Sequence, residues 1–154
     1  MPETTAETTE EFEPKSLVLF TDGGARGNPG PAGIGAVFYA EDDRGNRKHL
    51  ENIQQYIGEH TNNYAEYTAL IVALERAARM ELKNIKCFLD SELVVKQLNG
   101  LYKIREESLK PLAAKVLALT NNFKSITFTH VHRGKNAEAD QLVNNAIDEA
   151  AQKV

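Results

Sequence analysis

Several features that mark particular protein classes are missing from this sequence. It has no tryptophan and a single cysteine, Cys87, so an internal disulfide is excluded. No apolar run approaches the roughly 20 residues of a membrane span, and residue 1 is not followed by the basic and apolar stretches of a secretory signal. These absences predict a cytoplasmic protein with no membrane partner. Cys87 lies in an alternating apolar run and is expected to be a buried structural thiol.

Motifs for zinc and dinucleotide chemistry are missing too. The sequence contains no CxxC and no HExxH pattern, which argues against zinc-finger and thiol chemistry. The glycine-rich stretch GGARGNPG at residues 23–30 does not follow GxGxxG. An apolar segment typical of a strand follows it, where a dinucleotide-binding fold requires a helix. We therefore expect no small-molecule cofactor.

The net charge of −4 hides an uneven distribution. Five of the 22 acidic residues lie within residues 1–13, which contain no Lys or Arg, so 17 acids face 18 Lys and Arg in the remainder. Whole-chain charge is therefore a poor guide to partners, and nucleic acid is not excluded. Residues 1–15 are rich in Thr and Glu and poor in apolar residues, which predicts a disordered acidic tail. Residues 16–154 have the length of a single domain.

The pattern of apolar residues predicts an α/β fold. Three strands come first, and short turns between them favour antiparallel pairing. A long helix, a strand, two shorter helices, a strand and a final helix then follow. This order predicts a mixed five-stranded sheet flanked by helices. The predicted strands are 16–22, 33–40, 48–58, 84–90 and 125–132; the predicted helices are 61–82, 91–100, 109–122 and 136–152, the last capped by Asn136.

Four acidic residues occupy positions that a purely structural role would not favour. Asp22 and Asp90 each end a predicted strand, and Glu66 and Asp140 lie on the apolar sides of predicted helices. Singly, each is explained by helix capping or by interaction with a helix dipole. Together they suggest convergence, because functional groups gather at the carboxyl ends of strands in crossover units, and a buried charge is unfavourable unless it is paired or binds metal.

A cluster of carboxylates has a definite chemical preference. The acids would repel one another strongly unless a cation neutralised them. All-oxygen ligands favour Mg²⁺ or Mn²⁺ over zinc. Two such ions roughly 4 Å apart suit displacement at phosphorus, where one activates water and the other stabilises the leaving oxygen. The residues alone therefore indicate hydrolysis of a phosphodiester.

Four segments, in order and correctly spaced, closely resemble type 1 ribonuclease H. They are TDGGARGNPGPAGIGAV, TNNYAEYTALIVAL, FLDSELVVKQLNG and NAEADQLVN, and each carries one of the four acids. The resemblance implies the ribonuclease H-like fold and an endonuclease that cuts the RNA strand of RNA–DNA hybrids, leaving 5′-phosphate and 3′-hydroxyl ends. It also implies two Mg²⁺ ions, with Mn²⁺ as a possible substitute, and we expect a monomer.

The resemblance assigns a role to each acid. Asp22 would bridge the two ions, Glu66 and Asp90 would complete one site, and Asp140 would belong to the other, more mobile one. It also implies RNA contacts, which suit donors and acceptors that read 2′-hydroxyls across a wide minor groove. For Asn62 and Asn63 helix capping stays open, as does a turn role for Asn28. The implied contacts are Gly23, Gly24, Asn28, Thr61, Asn62 and Asn63, with Thr61 touching the DNA-strand phosphate.

The sequence departs from the family pattern in two places. Some members grip the hybrid with a basic, tryptophan-containing protrusion, which is absent here, so weaker and more salt-sensitive binding is expected. Many members also place a histidine before the last acid to help product release. Here the segment is short, and either His132 or Arg133 is the candidate. Two alternatives stay open: a non-catalytic hybrid-binding module, and a related nuclease that also cuts double-stranded RNA.

Overall fold

A computed structural model of the protein describes residues 11–153, so the greater part of the predicted tail, residues 1–10, lies outside the described residues. One sheet forms the centre of the fold, and its strand order is β3-β2-β1-β4-β5. Its strands are β1 (Ser16–Ala25), β2 (Gly30–Glu41), β3 (Arg47–His60), β4 (Asn84–Leu89) and β5 (Ser125–His130). The pairs β1–β2 and β2–β3 are antiparallel, whereas β1–β4 and β4–β5 are parallel. The predicted mixed five-stranded sheet is confirmed.

Helices cover both faces of this sheet. They are α1 (Asn62–Ala77), α2 (Glu92–Leu98), α3 (Lys110–Leu119) and α4 (Ala137–Gln152). Within residues 11–153, no helix has both the length and the apolar character needed to cross a lipid bilayer. The main core lies between the sheet and α1, where Leu17, Leu19, Leu70 and Leu74 are fully buried. Cys87 is buried in the same core, as predicted, and burial raises the pKa of its thiol.

Two neighbouring glycines show how closely the helices approach the sheet. A Cβ atom on Gly23 would lie 2.1 Å from the carbonyl oxygen of Ala65 in α1, whereas one on Gly24 would face Val143 of α4 at 3.7 Å. Because successive strand residues point to opposite faces, α1 and α4 lie on opposite sides of β1. Because Gly23 has no side chain, α1 can approach β1 closely. Because Gly24 has none, space remains beside the other face of the sheet.

Helix α4 also packs tightly against β2. A Cβ atom on Gly35 would lie 2.4 Å from the carbonyl oxygen of Ala139, and one on Gly33 would lie 2.9 Å from that of Val143. Such distances are far inside van der Waals contact, so only glycine permits this spacing. Gly35 is also the partner of Asp22 in the β1–β2 ladder. The β2 glycines therefore set how close α4 comes to the strand that carries Asp22.

The structure corrects several predicted details. Strand β1 continues to Ala25, because its antiparallel pairing with β2 persists to Ala32. Helix α1 ends at Ala77 instead of continuing to residue 82, and a turn follows it. Asn136 precedes α4, but its side chain makes no capping hydrogen bond. The end of the predicted tail contacts the domain, since the Lys15 amide donates to the Glu41 carbonyl at 2.8 Å.

Candidate active site

The pairing of β1 with β4 brings two of the predicted acids together. The parallel register pairs Thr21 with Leu89, the last residue of β4. Asp22 and Asp90 follow these two residues directly, so both acids stand where the parallel pairing of β1 with β4 ends. Asp22 is 7% exposed and Asp90 is half-buried. This edge of a crossover sheet is where α/β proteins commonly bind ligands.

Helix α1 supplies the third acid. Thr61 caps this helix, because its Oγ1 accepts a hydrogen bond from the Tyr64 amide at 3.2 Å. Glu66 then lies in the second turn, 6% exposed, and its Oε1 accepts the Gly23 amide at 3.0 Å. The close approach of α1 at Gly23 makes this bond possible. The carboxylate of Glu66 therefore connects the start of α1 directly to the strand that carries Asp22.

Three of the four predicted acids form a tight group. Carboxylate oxygens of Asp22, Glu66 and Asp90 all lie within 4.8 Å of one another. Asp140, half-buried in the first turn of α4, lies close enough to Asp22 for a hydrogen bond between their carboxyl groups. The structure thus brings all four acids to one place, with Asp140 at the edge of the group.

Burial and mutual repulsion disfavour full ionisation of this cluster. Burial raises the pKa of Asp22 to about 8, and the nearby Asp90 and Asp140 contribute to the rise. The pKa of Glu66 is raised well above its usual value, first by burial and then by the charges of Asp22 and Asp90. The positive charge of Arg133 acts in the opposite direction on the pKa of both Asp22 and Glu66.

The donor set fits hard divalent cations. Three clustered carboxylates, two of them buried, offer only oxygen ligands, which Mg²⁺ and Mn²⁺ prefer. A cation would also offset the repulsion that raises the pKa values of Asp22 and Glu66. Asp22, Glu66, Asp90 and Asp140 are therefore the residues that would hold such ions.

An open cleft of about 470 Å³ lies beside the acids. Gly23, Gly24, Asn62 and Asn63 line it, as does Arg133, together with the four carboxylates. Backbone amides, side-chain amides and the guanidinium groups of Arg26 and Arg133 therefore surround the acids. Such a lining suits a polar, negatively charged chain better than an apolar small molecule.

Three of the residues predicted to contact substrate, Asn28, Thr61 and Asn62, make hydrogen bonds within the protein. Asn28 does not line the cleft; its Oδ1 accepts the Asn62 amide at 3.0 Å and so holds the glycine loop against α1. Asn62 in turn accepts the Ala25 amide at 2.8 Å through its Oδ1. The residue that caps the helix is Thr61, the neighbour of Asn62 and Asn63. His132 lies outside the lining residues, and its neighbour Arg133 lies among them.

For one residue of the site, Asn136, the sequence predicted only a structural role. Asn136 is 1% exposed, and its Nδ2 donates to the Thr21 carbonyl at 2.9 Å and to Asp90 Oδ2 at 3.3 Å. Its position before a helix favours a capping role. Its actual partners lie 115 and 46 residues away in the chain, so no local pattern could have identified them.

Comparison with known proteins finds relatives over most of the chain. The family model described as "Reverse transcriptase-like" matches residues 20–146. A bifunctional protein of Mycobacterium tuberculosis is 41% identical over 136 residues, covering 88% of this chain and 36% of that protein. A protein named Ribonuclease HI from Halobacterium salinarum is 40% identical over 131 residues, covering 85% of this chain and 64% of that protein. The chain thus spans about a third of the mycobacterial relative.

A solved structure agrees with this similarity. The ribonuclease H1 called LC11, crystallised in complex with an RNA/DNA hybrid, is 46% identical to this chain. Its TM-score is 0.78, and the match covers 88% of this chain and 99% of that one. The likeness therefore extends over nearly all of that solved chain.

Proposed function

Because the chain belongs to the type 1 ribonuclease H family, we propose that it is a metal-dependent endoribonuclease that hydrolyses the RNA strand of RNA–DNA hybrids. The observation that carries the proposal is the carboxylate group of Asp22, Glu66 and Asp90, whose oxygens lie within 4.8 Å of one another beside an open polar cleft. A module that only binds hybrids would not need three mutually repelling acids at the base of that cleft. The catalytic reading is therefore the stronger one.

The proposed chemistry is attack of water on a phosphodiester, leaving 5′-phosphate and 3′-hydroxyl ends. Two bound Mg²⁺ ions, or Mn²⁺ in their place, would supply water activation and stabilisation of the leaving oxygen. The protein's part is to hold the carboxylates in place before substrate arrives. Gly23 does this for Glu66 through its amide, and the β1–β4 ladder does it for Asp22 and Asp90.

Selection of RNA is assigned to the amides of the cleft. The Oδ1 of Asn62 is held by the Ala25 amide, which fixes the orientation of its side chain at the cleft wall. Its Nδ2 is then a donor for a ribose 2′-hydroxyl, a group that DNA lacks. Asn63 and the backbone of Gly23 and Gly24 line the same wall. Double-stranded RNA also carries 2′-hydroxyls, so it is the natural competing substrate.

A substrate panel tests this function. Labelled RNA–DNA hybrid, double-stranded RNA, double-stranded DNA and single-stranded RNA are incubated with the protein in Mg²⁺, Mn²⁺ or EDTA. We expect cleavage of the hybrid's RNA strand with either metal and none in EDTA, with 5′-phosphate and 3′-hydroxyl product ends. Binding of the hybrid without cleavage would favour the non-catalytic alternative, and equal cleavage of double-stranded RNA would favour the broader nuclease.

Arg133 is proposed as the residue that assists product release. Its guanidinium lines the cleft and its charge partly counteracts the rise in the pKa of Asp22 and of Glu66, whereas His132 does not line the cleft. Arg133→Ala should lower hybrid turnover by about 10-fold, the effect of a lost charge-assisted contact worth roughly 1.4 kcal/mol. His132→Ala should change turnover less than about 2-fold. Steady-state and single-turnover rates check this, and a larger loss in His132→Ala would reverse the assignment.

A further inference from the structure

Asn136 occupies a junction between three acid-bearing elements. It follows β5 and directly precedes α4, which carries Asp140. Its side chain reaches the carbonyl of Thr21, the residue before Asp22, and the carboxylate of Asp90. A single amide group therefore contacts the ends of both parallel strands whose acids belong to the cluster.

The hydrogen-bonding partners fix which way this amide faces. A carbonyl oxygen and a carboxylate oxygen are both acceptors, so the Nδ2 group must point toward them. The pairing of β1 with β4 ends at Thr21 and Leu89, and Asn136 satisfies the Thr21 carbonyl at that point. Within residues 11–153 its Oδ1 is buried and has no hydrogen-bond partner. The amide thus leaves an acceptor unsatisfied while both of its donors serve the strand ends.

A capping role does not account for this arrangement. The residue at the start of a helix usually caps it with its side-chain oxygen, which accepts a backbone amide two or three residues later. Asn136 makes no such bond. Its side chain is instead 1% exposed and directed back at the carboxylate cluster. Burial of an amide is unfavourable without compensation, and the compensation here is given by Thr21 and Asp90.

We propose that Asn136 is a positioning residue for the metal-binding carboxylates, holding Asp90 at the end of β4, beside β1, so that it shares a cation with Asp22. The inference rests on the proposed function, because it concerns the cations of the same site. Groups that hydrogen-bond to a metal-ligating carboxylate orient it before the ion arrives. Without the amide, Asp90 would be free to turn toward solvent, and the cation would have to order it.

Cation binding in the absence of substrate is the primary test. Isothermal titration with Mg²⁺ and Mn²⁺ should show about 10–100-fold weaker binding to Asn136→Ala than to the wild-type protein. Turnover at fixed Mg²⁺ should fall by a similar factor, while KM for the hybrid stays within about 2-fold, because the residue does not touch RNA. Raising the Mg²⁺ concentration should recover part of the lost turnover.

Asn99→Ala is the matched control. The Nδ2 of Asn99 also donates to a strand carbonyl, that of Phe128 at 3.2 Å, but Asn99 is exposed and its partner lies in β5, which carries none of the four acids. Its removal should leave cation affinity unchanged. If Asn136→Ala does not fold, Asn136→Ser, which keeps one donor, replaces it and should show an intermediate loss of cation affinity.

A double-mutant cycle separates positioning from architecture. In an Asp90→Asn background, Asn136→Ala should no longer alter the rise in Tm that Mn²⁺ produces, because the oriented carboxylate is already gone. A lower Tm in EDTA with unchanged cation affinity would overturn the proposal and leave Asn136 a purely architectural residue. If the wild-type protein fails to cut hybrids while Asn136→Ala still weakens cation binding, the proposed function fails and the positioning role stands.

Discussion

Asp22→Asn is expected to lower Mg²⁺-supported cleavage of the RNA–DNA hybrid by at least about 10³-fold. Asp22 stands at the centre of the carboxylate cluster, within 4.8 Å of Glu66 and Asp90 and within hydrogen-bonding distance of Asp140. The amide keeps the shape of the side chain but removes the charge that a cation needs. Single-turnover cleavage of labelled hybrid measures the effect, and retention of substantial activity would contradict the central role of Asp22.

Asp140→Asn is expected to lower cleavage less than Asp22→Asn does. Asp140 is half-buried at the edge of the cluster, on α4, and is not part of the three-acid group. We therefore expect a smaller loss of Mg²⁺-supported activity than in Asp22→Asn. Asp43→Asn, in the exposed turn between β2 and β3, should leave cleavage unchanged. An equal or larger loss in Asp140→Asn would show that the fourth acid is as central as the first.

The same Asp22→Asn substitution should stabilise the metal-free protein at alkaline pH. The pKa of Asp22 is raised from 3.8 to about 8, chiefly by burial. Below pH 4 the carboxyl is protonated whether the chain is folded or not. As pH rises from about 4 to about 8, the unfolded chain releases this proton while the folded protein retains it, so the free energy of unfolding falls. Asparagine does not titrate and escapes this loss.

The expected difference is largest at pH 8 in EDTA. There the free energy of unfolding of Asp22→Asn should exceed that of the wild-type protein by several kcal/mol, or on the order of 10 °C in Tm, and this difference should disappear toward pH 4. Thermal and urea unfolding at pH 4.5, 6 and 8 measure it, with Asp43→Asn as the control for a lost surface charge. Mg²⁺ at pH 8 should raise the Tm of the wild-type protein more than that of Asp22→Asn. A gap that does not depend on pH would refute this account.

Local sequence patterns predicted the fold and the convergence of four acids in one place. An apolar run followed by an acid singled out Asp22 and Asp90, although β1 continues past Asp22 to Ala25 through its pairing with β2. The apolar neighbours of Glu66 on its helix face predicted that it is buried, and it is 6% exposed. The mixed sheet followed from the order of strands and helices, because short turns and crossover helices restrict the possible topologies.

What escaped prediction depends on contacts between distant segments. The bond of Asn136 to Asp90 joins residues 46 apart, and that of Asn62 to Ala25 joins residues 37 apart. Both asparagines sit beside helix starts, where capping is the favoured local interpretation. The role of Gly23 also depends on how near Ala65 comes, which only the packed structure defines. Asn62 and Asn136 are thus positions at helix starts where the local capping rule does not predict the contact that is made.

At the glycines of β2, the size of the side chain matters to the site, whereas at the acids its charge matters. Gly35 faces the Ala139 carbonyl, one residue before Asp140, at a distance that excludes any Cβ atom. A larger residue there would push the start of α4, and with it the fourth carboxylate, away from the strand that bears Asp22. A saturation screen for nuclease activity would therefore rank Gly35 beside the acids, although it contributes no functional group. The structure therefore restricts this position by the size of its side chain and not by its chemistry.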